Sequence, residues 1–385
     1  MKQRIGKYIT KKVTGESYKA YVPPLLPPKP PINLTLLYPL LEKATLALAE
    51  LNSIHKSIPN TALFIYMYVR KEALLSSQIE GAQSSFSDLM LFEHNQKTDI
   101  SLEDVEEVSN YVRAISYGLE RLKNDFPLSL RLVKEIHSLL LSGGRGAAQL
   151  PGEFRRSQNW IGGTRPGNAH FVPPPVEHLD DCLGNLETFF YNKDLPVLII
   201  AGVAHVQFET IHPFLDGNGR LGRLLITLLL CSNDILDAPI LYLSHYFKKN
   251  RSSYFKLLQE VRESGSWETW LEFFLVGVYQ TSQQAIQTAQ KINDLFSQDL
   301  NKISHLGRAR FSCEQAHEYM KRLPRVTVLL LAKELKMTAP TARSALNHLK
   351  SIGVLEEISG KKRDKIYLYR RYLDILEEGT EPFSK

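Results

Sequence analysis

The sequence predicts a mainly α-helical protein with a small hairpin element and a C-terminal winged helix-turn-helix domain. Three observations carry that expectation. Apolar residues recur near a 3.6 period through most of residues 33–304. One long stretch, 143–175, breaks the period with clustered Gly and Pro. The last eighty residues read helix, helix, turn, helix, hairpin, which is winged-helix order.

Residues 1–22 are polar and basic, and Tyr21–Pro31 reads YVPPLLPPKPP. Proline fixes φ and lacks an N–H, so this arm is expected to run extended over the surface. Leu34, Leu37, Leu40, Leu41, Ala44, Leu46, Leu48 and Leu51 then mark a first helix. Further helices are expected over about 61–81, 102–123, with Ser101 as N-cap, and 129–141, stopped by Ser142-Gly143-Gly144. In the long loop, Asn159–Ile161 and Ala169–Val172 are the extended pieces of a hairpin-like element. Helices resume over about 175–192, 196–210, 219–232, 252–264 and 266–296. Near the end come helices over 311–322, 326–335 and 339–352, then a hairpin from 354–358 and 365–369 with a basic tip.

The chain of 385 residues has 47 Lys and Arg against 41 Asp and Glu, net +6. Residues 305–385 hold 16 basic and 10 acidic residues, so the whole excess sits there and residues 1–304 balance to zero. DNA contact is therefore an expectation for that module alone. Arg343 and Asn347 would sit on its recognition helix, with Lys361, Lys362, Arg363 and Lys365 on the wing. A DNA-binding regulator is the alternative function. Cys182, Cys231 and Cys313 are far apart and odd in number, so they suggest neither a disulfide framework nor a zinc site. No apolar run approaches the ~20 residues of a membrane span, and a cytoplasmic location without membrane contact is expected.

The chemistry concentrates in HPFLDGNGRLGR, His212–Arg223, between two apolar helical segments. Gly217-Asn218-Gly219 places backbone N–H groups just before a helix begins, an anion site reinforced by the helix dipole. Arg220 and Arg223 share a helix face and can hold phosphate oxygens. Asp216 is an oxygen ligand of the kind that holds Mg²⁺ with waters and phosphate oxygens. His212 supplies a base that titrates near neutrality. Together they describe phosphoryl or nucleotidyl transfer.

This run resembles the signature of the Fic (filamentation-induced) family of protein adenylyltransferases, HPFx[DE]GNGRxxR, at every defined position. His205–Phe214 resembles the helix entering the family's catalytic loop, and Gln158–Pro175 its flap hairpin. The resemblance implies a Fic-type helical core and gives the residues roles. His212 would be the base that activates a Tyr, Thr or Ser hydroxyl of a target protein towards the α-phosphorus of ATP. Asp216 would hold Mg²⁺. Gly217, Asn218, Gly219, Arg220, Leu221, Gly222 and Arg223 would form the ATP-binding loop and helix start. Asn250, within Ser244–Phe255, is the adenine-site candidate. Ile161, Ala169, His170, Phe171 and Val172 would pair with the target segment, with Trp160 and His170 near substrate. His205 is expected to be structural. Ser76–Gly81 (SSQIEG) fits the family's inhibitory pattern [ST]xxxE[GN], so Glu80 would pair with Arg223 and hold the enzyme inactive. Removal of AMP, and homodimerisation, are further expectations. The implied division is a tail and arm (1–32), an N-terminal helical region with the inhibitory helix (33–100), a catalytic core (101–304) and the winged helix (305–385).

Overall fold

The structure, a computed structural model, describes residues 4–13, 16–57, 61–93, 101–143, 146–360 and 364–382. The expected basic tail is instead an antiparallel hairpin, β1 (Lys7–Val13) on β2 (Glu16–Val22), with Lys7 opposite Val22 and Val13 opposite Glu16. Its lysines hid a strand composition: Tyr8, Ile9, Thr10 and Val13 on β1 and Tyr18, Tyr21 and Val22 on β2 suit a pleated, half-buried surface, with Tyr8 opposite Tyr21. Residues 23–33 carry no regular structure, as proline requires. Side chains satisfy the arm's backbone: Asn185 Oδ1 accepts from Leu26 N (2.8 Å), and Gln207 Nε2 donates to Pro24 O (2.8 Å).

Four helices follow: α1 (Leu34–Ser57), α2 (Thr61–Ile79), α3 (Phe86–Glu93) and α4 (Leu102–Lys123). Ser101 makes no side-chain cap at α4, contrary to expectation; Asp104 instead accepts from Gln83 N (3.1 Å). Ser129 does cap α5 (Leu130–Leu140), accepting from Leu132 N. The next two helices, α6 (Leu179–Phe190) and α7 (Val197–Ile211), lead to α8 (Asn218–Ser232). All of Leu198–Ile211 is buried, which makes α7 the central helix; such a helix is apolar all round rather than on one face. Short α9 (Ser244–Lys249), α10 (Arg251–Ser264) and the long α11 (Trp267–Ser304) complete the core, with α11 packed along α1.

The C-terminal part runs α12 (Arg310–Arg322), β3 (Arg325–Thr327), α13 (Val328–Glu334), α14 (Ala339–Ser351), β4 (Glu356–Glu357), β5 (Ile366–Leu368) and α15 (Arg370–Glu377). The three strands form one antiparallel sheet in the order β3-β5-β4. The helix expected over 326–335 therefore starts late, because Val326 and Thr327 pair as strand and Thr327 then caps α13. Arg343 is exposed on α14, whereas Asn347 Oδ1 is occupied by Tyr367 OH (2.8 Å). Lys361, Lys362 and Arg363 lie outside the described residues, as does Gly144 of the stop after α5. This part shares the main apolar core. Buried Asp299 of α11 accepts from Tyr369 OH (2.6 Å) and Arg371 Nη2 (2.6 Å).

Candidate active site

α7 and α8 are joined by six residues, and side chains from outside hold their backbone in place. His212 ends α7 in the left-handed region (φ 48°) and donates its N–H to Phe208 O (2.9 Å). Its carbonyl accepts from Arg155 Nε (3.0 Å) and Asn159 Nδ2 (3.1 Å). Asn218 staples the turn from within, Oδ1 accepting from Phe214 N and Nδ2 donating to Phe214 O, both at 2.9 Å. His137 stacks on the Phe214 ring at 3.7 Å and its Nε2 lies 3.0 Å from Asp216 O. Gly217 needs its positive φ of 76° to turn the chain into α8. The orphan N–H groups at the start of α8 thus face a fixed opening.

That opening is a cleft of about 780 Å³. Its floor is His212, Asp216–Arg220 and Arg223; its walls include Glu80, Glu209, Phe255, Arg262, Trp160, Ile161, His170 and Phe171. His212 Nδ1 is 3.4 Å from Glu209 O. A carbonyl can only accept, so the neutral ring carries its proton on Nδ1 and leaves Nε2 as the proton acceptor. Burial, helped by the Arg262 and Arg155 charges, pushes His212 down to about 4. His212 is therefore a neutral base over the ordinary pH range. As pH falls through that value the imidazole is protonated and can no longer accept a proton. Single-turnover rates against pH are expected to stay flat from 8 to about 5 and fall below, whereas an acid limb centred at the ordinary histidine value of 6.5 would contradict this environment.

The arginines are not free clamps. Arg220 is buried, with Nη1 3.1 Å from Glu107 Oε1 and Nη2 3.7 Å from Asp216 Oδ2. Arg223 donates from Nε to Ser76 Oγ (2.9 Å) and from Nη2 to Ser76 O (2.9 Å) and Glu80 Oε1 (2.8 Å). Burial alone would raise the Glu80 carboxyl, but Arg223 outweighs it and holds the group below its usual range. A Cβ on Gly219 would collide with the Glu80 carboxylate, so that carboxylate lies directly against the start of α8. An acidic group stands where the anion cradle opens. Beside it, burial pushes Glu209 up to about 7, and its Oε1 has no hydrogen-bond partner among the described residues.

Several expected site residues lie elsewhere. Leu221 is core, and Gly222 faces α7, its carbonyl 3.0 Å from His205 Nδ1. His205 is fully enclosed between that carbonyl and Tyr254 OH (2.8 Å), a structural role. Asn250 joins α9 to α10, donates to Tyr246 O (3.0 Å), and is not among the residues lining the cleft. The flap pairs only at Ile161 and Phe171. Ala169 and Val172 turn away to pack with Tyr18 and Ala20, and Val172 O accepts from Tyr21 N (2.9 Å). The N-terminal hairpin, missed in the sequence, is what takes them. Sequence reasoning also gave no role to Arg155, Asn159, His137, Glu107, Glu209 and Arg262; Asn159 and Glu209 lie in segments that resemble family elements, and the other four lie in none.

Family models agree with this geometry. Residues 38–120 match the Fic/DOC family N-terminal model and residues 127–230 the Fic/DOC family model. Over these residues the chain is similar to the Fic/DOC family. The "Protein adenylyltransferase Fic" of Aedes aegypti is 33% identical over 165 residues, 42% of this chain and 30% of its own length. A "probable protein adenylyltransferase" of Aquifex aeolicus (strain VF5) is 27% identical over 206 residues, 52% of this chain and 57% of its own. The matched stretches thus span well under two thirds of these relatives. A Fic family protein from Desulfovibrio desulfuricans G20 shares the fold with TM-score 0.55 and 18% identity, over 86% of this chain and 96% of that one. A Fic domain containing signaling protein from Bacteroides thetaiotaomicron VPI-5482 does so with TM-score 0.51, over 63% and 97%. Among the described residues no helix is long and apolar enough to cross a membrane.

Proposed function

We propose that the Fic cleft transfers AMP from ATP to a Tyr, Thr or Ser hydroxyl of a protein target and that Glu80 holds it in check. The observation that supports this best is the meeting of a neutral base, His212, with the open N-terminus of α8 in one cleft, where a carboxylate lies in place of an anion. His212 Nε2 accepts the hydroxyl proton. The hydroxyl oxygen then bonds the α-phosphorus while the bond from that phosphorus to the bridging oxygen breaks and pyrophosphate leaves. The N–H groups of Asn218 and Gly219 at the start of α8 face the phosphates, and Arg220, with Arg223 once released, balances their charge.

Asp216 suits a Mg²⁺ site. Its carboxylate lines the cleft beside the turn, half-exposed, with Oδ1 accepting from Gly217 N (2.6 Å). Among the described residues no three His, Cys, Asp or Glu cluster to form a full cage. A single carboxylate beside a phosphate site is how a cation that keeps most of its waters is held. When bound, it would neutralise phosphate charge. In this reading residues 33–100 contribute the inhibitory helix α2, and 101–304 the catalytic core.

The donor test uses ATP labelled at one phosphate. With the Glu80→Gly protein, label from the α-phosphate is expected to become covalently attached to protein and label from the γ-phosphate is not. Retention of γ-label would replace AMP transfer by phosphate transfer.

A further inference from the structure

Ser76 and Glu80 sit one turn apart at the end of α2, and both face Arg223. Gln78, between them, points the other way and is fully buried. Its Nε2 donates to Thr380 O (2.8 Å) and Ser84 O (2.8 Å), and its Oε1 accepts from Lys248 Nζ (2.7 Å). Lys248 also donates to Glu381 O, and Lys71, earlier in α2, donates to Glu378 O (2.8 Å). Glu377 accepts from Ser87 N (3.2 Å). The last described residues of the chain therefore grip the inhibitory turn from the side opposite Arg223. The fit is also one of charge: Glu378 and Glu381 lie against Lys71, Lys248, Lys249 and His245.

We propose that residues 378–381 are a clasp on the inhibitory helix, whose release lets the end of α2 move and frees Arg223 from Glu80. The proposal rests on the inhibitory reading of Glu80. Its physical basis is hydrogen-bond satisfaction. Without the tail, buried Gln78 and Lys248 lose backbone acceptors, and a buried group left unsatisfied costs more than the bond itself contributed. The cheapest remedy is hydration of the last turn of α2, the turn that carries Glu80. Whatever lifts α15 and the tail, such as a ligand of the C-terminal part, would then act on the catalytic cleft.

Gly379 gives the cleanest way to detach the clasp. It has φ 77°, where a side chain is strained, and a Cβ there would run into the His245 ring. Gly379→Val touches no residue of the cleft. It is expected to raise self-labelling from α-labelled ATP about tenfold over wild type, a shift of roughly 1.4 kcal/mol in the latch. The Glu80→Gly/Gly379→Val double variant is expected to match Glu80→Gly alone, because the clasp acts only through the latch. Deletion of 378–385 is expected to reproduce the effect, and thermal melting checks that both variants remain folded. Wild-type labelling by both Gly379→Val and the deletion, beside an active Glu80→Gly, would overturn the clasp and leave the inhibitory glutamate standing. Failure of Glu80→Gly to exceed wild type would overturn both.

Discussion

Glu80→Gly is expected to raise AMP transfer about thirtyfold over the wild-type chain, measured as self-labelling or labelling of a target. Two effects combine. Arg223 is nearly fully buried, and its Nη2 is occupied by Glu80 at 2.8 Å. A charge-assisted hydrogen bond contributes about 1.5–3 kcal/mol. The Glu80 side chain keeps 39% of its surface exposed, which favours the lower half of that range, about 2 kcal/mol. That energy converts to the stated factor. The second effect is charge: the Glu80 carboxylate stands against Gly219 at the start of α8 and would repel the phosphates the cradle attracts. Gly at 80 removes both. Glu80→Asp should stay closer to wild type, since the charge remains.

His212→Ala, placed in the Glu80→Gly background, is expected to lower the rate of transfer about 10³-fold, in line with the loss of a positioned general base. ATP binding should change little. Arg155, Asn159, Phe214 and Asn218 fix the loop through backbone atoms that Ala retains. The comparison to make is single-turnover rate against nucleotide affinity, where a fall in rate alone assigns the imidazole to the proton rather than to the fold.

The sequence carried the parts of this site that are local. A turn that needs Gly217 at positive φ, arginines three apart and a histidine before proline are all contained within twelve residues, so no tertiary knowledge is needed to see them. The α7 and α8 helices that present them were equally plain, because helices buried all round read as continuous apolar runs. What escaped was non-local. Arg155 and Asn159 hold the carbonyl of His212 from a loop whose side chains have no periodicity. Glu107 reaches Arg220 from α4, and Arg262 lies over the Phe171 ring at 4.0 Å from α10. Neither partner can be chosen before the helices are packed.

Short elements failed for a different reason. α3 and α15 have eight residues and α9 six, too few turns for a period to stand out, and tertiary contacts stabilise them. The hairpin β1–β2 was obscured by charge, and its oversight moved Ala169 and Val172 wrongly into the flap's working edge. Asn250 was a candidate through the resemblance of Ser244–Phe255 to a family segment; its Nδ2 donates to Tyr246 O of the helix that precedes it.

In the proposed function, one base and one inhibitory carboxylate govern the same cleft. The most direct measurement incubates three purified proteins with ATP labelled at the α-phosphate: wild type, Glu80→Gly, and Glu80→Gly with His212→Ala. Strong covalent label is expected on the second and little on the first and third. Equal label on wild type and Glu80→Gly, or undiminished label on the double variant, would contradict the proposed function.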